Sequence, residues 1–469
     1  MKCSFWPLFL CSAAAVFAGG KAEYFRSDRG IAVGRSLPNN FEDASVLAWK
    51  TNVASGHSTP TVVNGRIILT CYDDQSRELS TIALDMKSGT RFWKQAAPAS
   101  RIEPVHRVGS PAAATPASDG ERVYVFFGSY GILCYDLHGK KIWERPFPPF
   151  QDEFGAASSP VLVDGKLILA QDHDVDSFVM AMDCATGRTL WKTPRPDAVR
   201  SYSTPAIWER NGRKEILVAG ALQIASYDPA SGKPLWWKDG LARIVIPIPV
   251  PSADMVYMAS WSPGGDAAQR LTLQSWESAL EKWDANKDGK LSKAEIDDRE
   301  VLERFFRMDL DQGGTLDQKE WDRHAEVFRR AQNAIVALRP SGNGELSDGD
   351  VVWKYQRGIP YVATPLVHQG KVWMVKDGGI VTRLDAVTGK VLSEERLPAL
   401  GGYYASPVTG DGKVYFASEA GVVSVVSAAN EWKVISKHDF RERIYATPVI
   451  SDGRIYIRTE KALYCFSKQ

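Results

Sequence analysis

The stretch Ala181-Met182-Asp183-Cys184-Ala185-Thr186-Gly187-Arg188-Thr189-Leu190-Trp191 has a spacing that returns along the chain, and that return decides the fold. It recurs as Ala83-Leu84-Asp85 with Gly89 and Trp93, as Asp136 with Gly139 and Trp143, and as Asp228 with Gly232 and Trp236. A worn copy, Asp385 with Thr388, Gly389 and Ser393, has lost its tryptophan. Short apolar runs are led in by Thr59-Pro60, a Pro111 to Pro116 region, Ser159-Pro160, Thr204-Pro205, Ile246-Pro247, Thr364-Pro365, Ser406-Pro407 and Thr447-Pro448. Turn glycines follow most of them, at Gly65, Gly165, Gly370, Gly412 and Gly453. Apolar runs bounded by Asn-Gly or Asp-Gly turns read as hairpins. A period of about 40–50 residues, four strands to a unit, reads as a β-propeller.

Each motif residue has a physical role. The aspartate bonds backbone amides of the turn between the third and fourth strands. The glycine supplies a positive φ, and the tryptophan buries a large ring between neighbouring blades. The last repeat stops after three strands, at Tyr464-Cys465-Phe466, while Val46-Leu47-Ala48-Trp49-Lys50 precedes the first marker and carries a fourth-strand tryptophan. Pairing the two removes an open edge. The expectation is an all-β, eight-bladed propeller whose terminal strands share the last blade.

Composition is that of a globular chain, and a net charge of +1 favours neither nucleic acid nor an acidic partner. Met1-Lys2, the apolar run Phe5 to Phe17 and small residues at Ala18 and Ala22 read as a secretory signal over 1–22, too short to span a membrane. An exported protein of the periplasm or cell envelope follows, with no transmembrane segment once the signal is removed. Cys71, Cys134, Cys184 and Cys465 fall in different repeats without CxxC spacing and read as buried strand thiols.

The AxDxxTGxxxW pattern of Ala181 to Trp191 resembles the tryptophan-docking repeat of quinoprotein alcohol dehydrogenases. It is more similar to the non-catalytic propellers with pyrroloquinoline-quinone-like repeats, among them the outer-membrane assembly propeller. The resemblance covers about residues 41–264 and 333–469, after an N-terminal extension over 23–40. It specifies a propeller type and says little of any activity.

Residues 265–332 interrupt the pattern inside blade five, between a second strand at Met255-Val256-Tyr257-Met258-Ala259 and a third at Asn333 to Leu338. Leu273, Trp276, Leu280 and Trp283 have helical spacing, which predicts a helix over Leu271 to Trp283. Asp284 to Glu295 then matches the twelve-residue EF-hand calcium loop. Asp284, Asn286 and Asp288 offer oxygens, Gly289 bends, Lys290 gives a carbonyl, Ser292 ligates directly or through water, and Glu295 closes the site. Asp309 to Glu320 is its sister, with Asp309, Asp311, Thr315, Asp317 and Glu320 as ligands; Gly313 brings none at the fifth position, so weaker binding is expected there. Ile296 to Met308 and Gln318 to Arg330 complete the helical insertion. Calcium is the expected ion, held as a permanent structural ligand; an acidic helix pair that binds nothing is the alternative.

The loops entering each first strand should share one face with this insertion. His57, Tyr202, Tyr361, Tyr403, Tyr404 and Tyr445 line the expected channel mouth there, joined by His106, Arg107, Arg200, Arg243, Arg357, Arg441 and Arg443. Such a ring suits a carboxylate or sulfate; alternatively the arginines neutralise Asp152 and Glu153 and the tyrosines plug the channel. The expected function is an exported, monomeric, calcium-binding scaffold without catalysis, meeting other proteins, an anionic small molecule or a glycan on the loop face. The other reading is a quinone-dependent oxidoreductase. The dehydrogenases it resembles use an adjacent cysteine pair over the cofactor, and the chain has no Cys-Cys. No paired carboxylates or Ser-His-Asp set point to a hydrolase.

Overall fold

The computed structural model describes residues 23–32, 36–147, 150, 152, 154–266 and 272–468; the leader over 1–22 lies outside them. Eight sheets of four or five strands follow one another around a ring. Blade one is Thr61–Val63, Arg66–Asp73, Glu78–Asp85 and Arg91–Ala96, paired antiparallel in chain order. The innermost strands of blades two to seven are Ala117–Ser118, Val161–Val163, Ala206–Arg210, Val250–Ser252, Leu366–His368 and Val408–Gly410. Blade eight takes Val449–Ser451, Arg454–Arg458 and Ala462–Ser467 from the C-terminal end. Its outermost strand is Leu47–Asn52, antiparallel to Ala462–Ser467 with Trp49 opposite Cys465. The ring is therefore closed by its two ends.

The repeated tryptophan ties each blade to the next. Trp49, Trp93, Trp143, Trp191 and Trp353 each donate the indole N–H to a carbonyl in the following blade: Met86, Leu137, Cys184, Pro229 and Ala386. The ring then lies against the turn glycine of that blade. A Cβ on Gly187 would sit 2.5 Å from the Trp143 ring. The aspartate behaves as read: Asp183 Oδ1 accepts from the Thr186 N–H and hydroxyl, each at 2.8 Å.

One copy departs from this. Trp236 does not reach blade five; its indole donates to Glu215 Oε2 in its own blade (2.8 Å). Trp208, on the innermost strand of blade four, donates instead to Ala253 O of blade five (3.0 Å). At the same joint a fifth strand, Gly344–Glu345, pairs parallel to Pro234–Asp239, with Gly344 opposite Trp236. The innermost strand of blade five also begins after Ile248-Pro249, not after the expected Ile246-Pro247 step. The four cysteines are buried free thiols.

A second ring runs near the axis. The residue before the proline uses its hydroxyl to accept an amide from its neighbour. Thr59 N donates to Thr115 Oγ1, Thr115 to Ser159, Ser159 to Thr204, Ile248 to Thr364, Thr364 to Ser406 and Ser406 to Thr447, at 2.9–3.1 Å. Ile248 has no hydroxyl, so at that joint Tyr202 N donates to Val245 O (2.8 Å). At the closing seam the buried Arg458 of blade eight donates to Ser58 O (3.0 Å), Ser58 Oγ (2.6 Å) and Thr70 O (2.9 Å) of blade one.

The N-terminal extension is part of the scaffold. Its residues 23–32 cross the inner strands on the face opposite the insertion. Glu23 O accepts from Ser118 N of blade two, and Ala32 N donates to Thr409 O of blade seven. Arg26 donates to Pro407 O (3.1 Å) and Pro365 O (3.3 Å), and Arg29 to Pro251 O (3.3 Å). Leu37 and Phe41 then enter the core between blades seven and eight.

Three α-helices occupy the interruption of blade five: α1 (Trp276–Trp283), α2 (Arg299–Met308) and α3 (Gln318–Arg330). The first two begin later than the apolar spacing implied. Ser275 and Asp298 cap them, each accepting main-chain N–H groups. Trp276, Trp283, Leu291, Val301, Phe305, Leu316 and Trp321 form a core of their own.

The docking account separates two glycines. Gly165 (φ +72°) has open space around its Cβ position, whereas Gly187 (φ +68°) faces Trp143. Gly165→Ala should cost about 1–2 kcal/mol of left-handed strain; Gly187→Ala should cost about 1–3 kcal/mol more by overpacking. Equal losses in chemical denaturation would contradict the docking role.

Candidate functional site

The loop face carries two groups of side chains rather than one ring. Around blades seven, eight and one, His57 stacks on Tyr445 with 4.1 Å between ring centres, and Tyr404 lies 5.3 Å from Tyr445. The Tyr445 hydroxyl donates to Glu419 Oε1 (2.9 Å) and accepts from Arg443 Nη1 (3.3 Å). Loss of solvent, with Arg458 beside it, pushes the His57 pKa down to about 3, so the imidazole is neutral. Arg107 acts electrostatically on Tyr404 from the same side.

Other expected mouth residues are turned elsewhere. Tyr403 is buried and donates to Ala399 O (3.0 Å). Tyr361 stands edge-on to Trp261 at 5.2 Å. Arg357 and Arg441 are exposed. These residues are thus divided between contacts across neighbouring blades, as at His57, Tyr404 and Tyr445, and positions turned away from them, as at Tyr403 and Tyr361. His106 packs on Phe154 with ring centres 4.9 Å apart.

Across the face, blades two to four hold buried charge. Arg200 Nε and Nη2 pair with Asp174, and Arg195 pairs with Asp172. Asp152 receives the Tyr202 hydroxyl (2.7 Å) and lies 3.6 Å from His173 Nδ1. Its neutralisation by arginine is therefore replaced by a tyrosine contact; Glu153 lies outside the described residues. Glu103 is buried beside Ala156, and burial, with the charge of Asp152, pushes its pKa up to about 8 against one weak amide bond. Sequence reasoning missed Glu103, because nothing local marks a carboxylate that only the tertiary fold covers.

The insertion stands on this second side. Arg200 Nη2 donates to Phe306 O at the end of α2 (3.4 Å), Arg323 Nη2 of α3 to Pro196 O (2.5 Å), and Arg330 pairs with Asp239. Its two loops lie back to back through Leu291 opposite Leu316 and Ser292 opposite Thr315. Gly289 (φ +76°) and Gly314 (φ +82°) make the bends. In the first loop Asp284 Oδ2 accepts from Gly289 N (3.0 Å), Asn286 Oδ1 from Asp288 N (2.8 Å), Asp288 Oδ1 from Lys290 N (2.8 Å), and Glu295 Oε2 from Ser292 N (2.9 Å). In the second, Asp309 Oδ2 accepts from Gly314 N (3.0 Å), while Asp317 and Glu320 form a capping box on α3. Ligand atoms of Asp309, Asp311 and Glu320 lie within 4.8 Å of one another. Asp309 Oδ1 is buried without a hydrogen-bond partner. Burial, with the charges of Asp311 and Asp317, raises the Glu320 pKa.

The family of the outer membrane protein assembly factor BamB matches residues 42–206, 175–301 and 306–466, and the chain belongs to that family. Among curated proteins, the quinohemoprotein alcohol dehydrogenase ADH IIB of Pseudomonas putida is 27% identical over 206 residues, 41% of this chain and 29% of that protein. The chain therefore matches less than a third of that relative's length. Among solved structures, BamB from Moraxella catarrhalis superposes with a TM-score of 0.55 at 13% identity, covering 89% of this chain and all of that one. A europium-containing methanol dehydrogenase gives 0.55 at 13% identity, covering 96% and 98%. At such identities the likeness is one of fold. No helix among the described residues is long and apolar enough to cross a membrane.

Glu103 generates a pH dependence. Its folded-state pKa lies above the ordinary carboxylate value of 4.5, so between there and about pH 8 the folded state holds a proton that the unfolded state has lost. Stability should fall as pH rises through that window, by up to about 1.4 kcal/mol per pH unit. Glu103→Gln should flatten this decline in denaturation midpoints measured from pH 5 to 9. An unchanged slope in the variant would refute the assignment.

Proposed function

We propose that the chain is an exported, non-catalytic propeller scaffold that carries calcium in its insertion and meets a protein or an anionic ligand on the loop face. The observation that carries the reading is the paired loops. Ca²⁺ takes six to eight oxygens from a twelve-residue loop with a sharp bend at its sixth position. Asp284, Asn286, Asp288, Lys290, Ser292 and Glu295 offer that set in the first loop, and Asp309, Asp311, Thr315, Asp317 and Glu320 a sparser one in the second.

The second loop has independent support. Three carboxylates gathered within 4.8 Å, one oxygen of Asp309 buried and unpartnered, and a Glu320 made reluctant to ionise describe a crowd of negative charge. A divalent cation relieves that crowding and inverts the local preference for protonation. The packing of α2 and α3 on the propeller fits a stiffening role: a filled loop fixes the angle at which the helices leave it. Family membership supports an envelope protein that engages other proteins, as the assembly factor's own description says of that relative. The quinone-dependent alternative draws on the partial match to ADH IIB and on the resemblance of the Ala181–Trp191 repeat to that class.

Calorimetric titration of the metal-free mature protein should give two calcium sites per chain, the first-loop site the tighter. Glu295→Gln and Glu320→Gln should each remove one. A ligand at one hundred times Kd adds about 2.7 kcal/mol of stability, so chelation should lower Tm. Fewer than one site per chain would overturn the reading.

A further inference from the structure

The outermost strand of a blade leaves one row of main-chain N–H and C=O groups that a further strand can pair with. The chain itself fills such an edge at blade four. Gly344–Glu345 lies parallel to Trp236 and Trp237, and Leu346 N donates to Trp237 O (2.8 Å). The added segment brings two side chains matched to that edge. Leu346 is buried in the cluster between blades four and five, and Asp348 pairs with Lys238 of the edge strand at 2.8 Å.

Blade six presents the same kind of edge unfilled. Its sheet runs Leu366–His368, Lys371–Lys376, Ile380–Asp385 and Val391–Arg396, and no strand among the described residues pairs with the far side of the last. Three aliphatic side chains stand exposed there within six positions of sequence: Val387 (60%), Val391 (50%) and Leu392 (49%).

The charge of this edge is also reversed. The residue after the docking position is a lysine in most outer strands, as in Trp49-Lys50, Trp93-Lys94, Trp191-Lys192, Trp353-Lys354 and Ser436-Lys437. An edge lysine discourages stray pairing. Blade two has Glu144 at that place, but it accepts from Lys141 Nζ (2.8 Å) and from the Tyr130 hydroxyl (2.7 Å). Blade six has Ser393-Glu394, and the exposed Glu394 makes no hydrogen bond or ion pair among the described residues. Its strand contains neither lysine nor proline. The flanking cations are turned elsewhere: Arg396 donates to Gly378 O (2.8 Å), and Lys390 closes the turn onto Asp385, its carbonyl accepting the Asp385 N–H (2.8 Å).

We infer that the outer edge of blade six takes up an extended segment of another protein as a fifth strand, one that alternates aliphatic and basic residues. The segment's main chain pairs with Val391–Arg396, and its aliphatic side chains cover Val391 and Leu392. Its basic side chains meet Glu394, which is the Lys238–Asp348 pair of blade four with the signs exchanged. An exposed ion pair adds little affinity. The carboxylate therefore selects the charge of the segment, while main-chain bonds and apolar cover hold it. This surface is on the rim and separate from the loop face, and it does not depend on calcium in the insertion.

The test uses the full mature chain in calcium with an eight-residue peptide alternating valine and lysine. The controls are its valine–glutamate counterpart and the basic peptide with every amide N-methylated, which keeps the charge and removes the N–H donors. Calorimetry should give one basic peptide per chain, bound at least tenfold more tightly than either control. Hydrogen exchange should slow over Val391–Arg396 in the complex. Glu394→Lys and Leu392→Lys, made singly, should each weaken the basic peptide at least tenfold. Both positions are exposed, so the denaturation midpoint should stay that of the parent and report a folded variant. No saturable binding of the basic peptide, equal binding of the N-methylated form, protection confined to other strands, or undiminished binding in both variants overturns the inference.

Discussion

The structure depends on a circular constraint: a hydroxyl before six of the inner prolines accepts the amide of the neighbouring blade. Proline fixes φ and has no N–H, so the residue before it is held extended and reaches its hydroxyl back to the preceding blade. Six such bonds of 2.9–3.1 Å pass the register from blade to blade. Further out, tryptophan on glycine repeats the message at the rim. Blades that would each be marginal alone thereby bury their faces against one another in a series of inter-blade clusters.

The ring is patched at two joints, and both are where the chain has been altered. Between blades four and five, Ile248 lacks the hydroxyl; there Arg330 of the insertion pairs with Asp239, and Gly344–Glu345, from blade five's third-to-fourth strand connection, pairs with blade four. Between blades eight and one, where the two chain ends meet, Arg458 inserts a guanidinium among the carbonyls of blade one. Across the opposite face, Arg26 and Arg29 tie the N-terminal extension to blades five, six and seven. The insertion is thus a member of the scaffold as well as a candidate metal carrier, and a change in its loops acts directly on the blade joint beneath it.

The repeat was legible because its chemistry is local. Asp183, Gly187 and Trp191 do their work within one turn and the next blade, so eight blades and the shared last blade follow from spacing. The two carboxylate-rich loops stand out in the sequence in the same local way, by the spacing within Asp284–Glu295 and Asp309–Glu320. Trp236 shows the limit: its motif is intact, yet its indole bonds Glu215 of its own blade and Trp208 makes the contact to blade five. Arg200 and Arg243 were read as mouth residues; the fold gives them Asp174 and Pro263 O as partners, which no local spacing announces. Loop residues acquire their neighbours only when the face is assembled. Arg26 and Arg458 were invisible because isolated arginines in polar surroundings read as surface.

Anomalous X-ray scattering from crystals of the mature protein grown with calcium tests the central claim most directly. The account predicts two peaks, one within Asp284–Glu295 and one within Asp309–Glu320, and none on the propeller axis. A peak on the axis with none in the insertion would contradict it.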